Sequence, residues 1–134
     1  MDGFCFTSTL FEIERGEDAQ LNPGRYGRQL ALWLGARFAE LGYVPEIIAE
    51  DWGYCVMLSR DPFLLWVGCG NMEETDIDAS KDPIVWHCFV VAEASLLQKL
   101  FRRPQTHSAL QKLKADLYAV LDDEPAIAFL EQHK

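Results

Sequence analysis

FLLWVGCGNMEETDIDASKDPIVWHCFVVAEA, residues Phe63 to Ala94, holds two of the most apolar runs in the chain with its most acidic segment strung between them. Phe63 to Cys69 and Ile84 to Val91 are short, rich in Val, Ile, Phe and Trp, and bounded by Pro or Gly, which marks buried strands and not helices. Between them Glu73, Glu74, Asp76, Asp78 and Asp82 face a single Lys81. So many like charges in so short a span predict a solvated loop suited to a positive surface.

Upstream, Val44 to Ala49 and Tyr54 to Leu58 are strand-like, separated by the turn Glu50-Asp51-Trp52-Gly53 and followed by the turn Arg60-Asp61-Pro62. Connections this short join antiparallel neighbours, so the middle of the chain reads as a meander. Phe4 to Ile13 predicts a first strand, with Phe4, Phe6 and Leu10 on one side and Cys5, Phe11 and Ile13 partly on the other. Asn22-Pro23 is a helix start: Asn accepts from the free amides of a first turn and Pro loses no hydrogen bond there. Tyr26, Leu30, Leu34, Phe38 and Leu41 then recur at helical spacing until Gly42. After Val91, Ser95 to Arg103, Thr106 or Ser108 to Leu121, and Pro125 to Gln132 predict two or three C-terminal helices. The fold class is therefore α+β: one domain over residues 1–134, with a mainly antiparallel sheet of about five strands in the order βαββββ and a long first helix packed on it.

The chain has 134 residues, enough for one core without disulfides or metal. It carries 12 basic and 21 acidic side chains, of which 6 and 5 fall in residues 95–134, so the negative charge is concentrated in the first 94. That sign repels phosphate backbones and anionic lipid; it disfavours nucleic-acid and membrane binding and favours a basic protein partner, although acidity alone also serves solubility. With no basic n-region before an apolar block, and no run of about 20 apolar residues, a cytoplasmic protein is expected.

Catalytic motifs are absent. Cys5, Cys55, Cys69 and Cys88 lie in apolar contexts without CxxC spacing and read as free thiols, not as a metal site. Gly68-Cys69-Gly70-Asn71 lacks the Lys and the following helix of a phosphate loop, and reads as a bulge or close backbone approach. Cys69 with His87 would need an exposed, low-pKa thiol, which an apolar run does not offer. Asp76-Ile77-Asp78 lacks the calcium-loop Gly and Glu, having Lys81 and His87 there instead. No cofactor and no metal are expected, and the chain reads as non-enzymatic. Trp52, Trp66 and Trp86, with Tyr54, fall on neighbouring predicted strands, where they are either core or, on an open face beside acidic groups, aromatic anchors with a charged rim.

Asn22-Pro23-Gly24-Arg25-Tyr26-Gly27, Ala31-Leu32-Trp33-Leu34 and Glu50-Asp51-Trp52-Gly53 together resemble a pattern in short bacterial proteins, some of which look like immunity partners of antibacterial toxins. The resemblance covers residues 20–70. It implies an inhibitor that occludes the active site of a cognate toxin with a basic cleft, and it carries over no catalytic residue. The partner-binding residues expected on this reading are Glu73, Glu74, Asp76, Asp78 and Asp82, with Glu50, Asp51 and Trp52 as a second set. The alternative is a small ligand-binding domain or enzyme with an aromatic-lined pocket between the sheet and the first helix, using Arg25, Arg28 and the tryptophans on an anionic ligand.

Overall fold

The computed structural model describes residues 3–76, 83–94 and 106–130. Six strands form one antiparallel sheet: β1 (Gly3–Ser8), β2 (Glu46–Glu50), β3 (Gly53–Ser59), β4 (Leu64–Asn71), β5 (Trp86–Glu93) and β6 (Ile127–Phe129), in the spatial order β2-β3-β4-β5-β1-β6. Two α-helices are described, α1 (Arg28–Glu40) and α2 (Thr106–Asp122), with a short 3-10 helix at Glu17–Gln20. The α+β class and the β2-β3-β4 meander are as the turns predict, because each of these short connections leaves only the adjacent antiparallel slot within reach, and β5 returns beside β4 after the longer acidic segment. The predicted helix Ser95 to Arg103 lies outside the described residues.

Both helices pack on the same face of the sheet. Leu30, Leu34 and Phe38 of α1 and Leu113, Leu117 and Leu121 of α2 are fully buried in one cluster with Phe6, Val56, Val67, Cys69, Trp86 and Cys88. The spacing of three and four residues sets these side chains on one stripe of each helix, while strand alternation sends every second sheet residue toward them. The segment that follows α1 is tied to α2 by a polar clamp: Tyr43 Oη donates to Asp116 Oδ2 at 2.7 Å, and Lys112 Nζ donates to the same oxygen at 2.8 Å. α1 sits tightly, since a Cβ on its Gly35 would lie 3.1 Å from Ile47 Cδ1 on β2.

Four expectations are corrected. β1 ends at Ser8, not Ile13; the chain then turns, leaving Leu10 exposed and bringing Phe11 into the core against Trp33 and Trp86 at ring-centroid distances of 5.4 and 6.3 Å. α1 begins at Arg28, five residues after Pro23, because its first amides are capped from elsewhere. The stretch from Pro125 is no helix over its described part: Ile127–Phe129 forms edge strand β6, with Phe6 opposite Phe129. The sheet accordingly has six strands, not about five.

Candidate functional site

Register settles which chemistry-bearing side chains can meet. Cys69 is opposite Cys88, and Gly70 opposite His87, in the β4–β5 pair. Cys69 therefore points into the helix-covered core, where it is fully buried, while His87 points to the other face. Burial pushes the Cys69 thiol well above its ordinary range, so no Cys69–His87 dyad exists. The residue beside His87 is Cys5, its partner in the β1–β5 pair, projecting from the same face. Burial raises the Cys5 thiol and lowers the His87 imidazole, the reverse of what a thiolate–imidazolium pair needs. Cys5 Sγ instead contacts Met72 Sδ at 3.8 Å.

The second face of the sheet carries an aromatic cluster. Trp52, in the β2–β3 turn, stacks on Trp66 of β4 at 6.0 Å and 27°. Phe89 of β5 lies 5.4 Å from Trp52 and 5.9 Å from Trp66, and the His87 ring stacks on Phe89 at 5.1 Å. Glycine makes this possible: a Cβ on Gly68 would clash with the Phe89 ring, so only a bare backbone lets that ring lie across β4. A cavity of about 340 Å³ opens beside these rings, lined also by Arg25, Asn71 and Met72. Of the aromatics grouped in sequence, Trp52 and Trp66 share this face, whereas Trp86 and Tyr54 are buried. Phe89 and His87 were missed as members of the cluster, although their spacing of two, matched to Val91, was the available signal.

One end of the sheet gathers the rest. Buried Asn71, at the end of β4, accepts from Tyr26 N at 3.0 Å and donates to Gly24 O at 2.8 Å and Glu73 O at 2.7 Å. It thereby pins the loop before α1 to the start of the acidic segment, and Thr75 N adds a bond to Gly24 O at 3.1 Å. Glu17, also buried, supplies the cap that Asn22 was expected to give: its Oε1 accepts from Gly27 N at 2.7 Å and Arg28 N at 3.3 Å. A carboxylate there meets both the orphan amides and the positive end of the helix dipole. Asp18 Oδ2 accepts from Gly24 N and the Tyr26 hydroxyl. This lattice places Arg25 at the cavity wall, where Nη1 donates to Asn71 O at 3.3 Å and Nη2 lies 4.0 Å from Glu74 Oε1.

No family model, curated protein or solved structure matches the chain. The site is therefore read from its chemistry.

The structure brings the two expected acidic sets to the same end of the sheet. Gly53 and Gly70 are neighbours there, since a Cβ on Gly53 would lie 2.5 Å from Cys69 O. Exposed Glu50 and Asp51 precede Trp52 at this end and exposed Glu73, Glu74 and Asp76 follow Met72, with Glu74 and Asp76 lining a separate cavity beside Asp18 and Tyr26, while Trp52 is half-buried among the rings. Asp78 and Asp82 lie outside the described residues. Arg28 does not join the cavity; its guanidinium pairs with Glu14 at 3.1 Å. The aromatic-lined cavity is on the face opposite α1, not between sheet and helix, where α1 is packed directly on β2. Among the described residues no group of three or more His, Cys, Asp and Glu is placed to hold a metal ion, and no helix is long and apolar enough to cross a membrane.

Proposed function

We propose that this protein is a non-enzymatic inhibitor of the immunity type, which binds a cognate toxin through the second face of its sheet and covers a basic active cleft. The observation that carries this reading is the placement of exposed Glu50-Asp51 and Glu73-Glu74-Asp76 at the same end of the sheet as one partly exposed aromatic cluster. Desolvated rings at the centre of a contact supply affinity, and a rim of one sign supplies steering and rejects partners of the same sign. The formal charge of −9 extends that field over the molecule. Burial raises the Cys5 thiol, lowers the His87 imidazole and encloses Cys69, none of which favours an activated nucleophile on this face.

The reading is tested by co-expressing the chain with the product of the neighbouring gene in its genome of origin. A growth-inhibiting product that forms a stoichiometric complex with this chain, with growth restored, is the expected result. A neighbour with no inhibitory effect and no complex contradicts the reading.

A further inference from the structure

We propose that the cavity on the second face is the anchor pocket for a tyrosine side chain of the partner, flanked in that partner by basic residues. This rests on the protein-binding reading above and adds the identity of the group that enters. Three features of the pocket choose it. The walls are ring faces and edges, with Trp52 and Trp66 near parallel and Phe89 turned 47° and 68° from them. A planar ring laid against this wall makes the offset and edge contacts that ring quadrupoles favour. The Phe89 ring lies across Gly68, and the cavity opens beside it with Gly70, Asn71 and Met72 in its lining.

The polar groups then discriminate among rings. Asn71 spends its side-chain amide on Tyr26, Gly24 and Glu73, which leaves the Arg25 guanidinium as the charged group at the wall, its side chain 25% exposed. Guanidinium has five donors and no acceptor, and the contacts with Asn71 and Glu74 leave donors over. A ring bearing an acceptor satisfies one of them. Tyrosine does so through its hydroxyl; phenylalanine brings no acceptor, and the indole of tryptophan brings a donor toward a donor. A carboxylate would also suit Arg25, but Glu74 lies 4.0 Å from that guanidinium, and Glu50, Asp51 and Glu73 at the same end of the sheet add to the formal charge of −9 that repels an anion. Lysine or arginine on either side of a tyrosine meets those same carboxylates favourably.

The test uses four synthetic peptides, Lys-Lys-Xaa-Lys-Lys with Xaa as Tyr, Phe, Leu or Ala, titrated into the whole protein while its tryptophan fluorescence is read. Titrations run at low salt and at about 0.15 M, where exposed charge is screened beyond about 8 Å. The Tyr peptide is expected to bind at least about tenfold tighter than the Ala peptide, equivalent to about 1.4 kcal/mol, and several-fold tighter than the Phe peptide. Arg25→Met should remove the preference of Tyr over Phe, and Trp52→Ala the preference of Tyr over Ala, with circular dichroism showing both variants folded. Four peptides that bind alike, with affinity set by salt only, overturn the tyrosine pocket and leave the acidic rim standing. A Leu peptide equal to the Tyr peptide overturns it as well. Absence of binding by all four at low salt overturns the pocket and the charge argument for the rim together.

Discussion

Replacing Trp86 by Ala is expected to lower the stability of this protein by about 3–5 kcal/mol, the range for large aromatic truncations in a packed core. Trp86 is the largest fully buried side chain. It stands on β5 between Asn71 of β4 and Phe6 of β1, so its ring joins the meander to the strand that arrives from the N-terminal segment. Phe11 meets it edge-on, which also ties down the turn after β1. Removing the indole leaves a void bounded by secondary structure on several sides, which cannot collapse cheaply. A denaturant midpoint shifted by less than about 1 kcal/mol equivalent would show that the core is assembled differently.

The second large effect is at Asn71, and it joins stability to the site. In Asn71→Ala the carbonyls of Gly24 and Glu73 each keep another donor, Thr75 N and Thr75 Oγ1. Tyr26 N loses its side-chain acceptor inside the protein. One orphaned buried amide costs about 1–3 kcal/mol, and with the lost contacts of the amide group the total is about 2–4 kcal/mol. Asn71→Asp is expected to do no better: it restores the acceptor for Tyr26 but turns oxygen toward the oxygens of Gly24 and Glu73. Both variants should loosen Arg25 and the segment from Met72 and so weaken partner binding by more than the folded fraction accounts for. Melting temperatures of both variants equal to that of the unaltered protein in a thermal scan would refute the anchoring role.

The sequence showed those parts of the fold that rest on local spacing. Leu30, Leu34 and Phe38 declare the buried stripe of α1 because the helix period places them on one side whatever lies beneath, and the turns at residues 50–53 and 60–62 declare the meander. What failed depends on contacts distant in sequence. Phe129 pairs with Phe6, and nothing within a few residues of Pro125 reports on a strand edge more than a hundred residues away. The start of α1 was misplaced because its cap, Glu17, reaches in from an earlier turn, whereas capping rules look only at the residue next to the helix. At the site, the carboxylates and Trp52 were visible as a composition, but the grouping of Trp66, Phe89 and His87 on one face at that end follows from the β3–β4–β5 register. Sequence left two acidic sets as rivals; the register brings both to one end of the sheet.

The central claim is that this face is a steered protein-binding surface, and it is tested most directly by association and dissociation rates with the toxin from the neighbouring gene across a range of ionic strength. The variant with Glu50, Asp51, Glu73 and Glu74 changed to their amides should associate more slowly and with a flatter salt dependence, at nearly unchanged stability. Trp52→Ala should leave association nearly unchanged and speed dissociation at least about tenfold, as the loss of a central ring does. Rates for both variants equal to those of the unaltered protein at every salt concentration would contradict the account and move the interface to another surface.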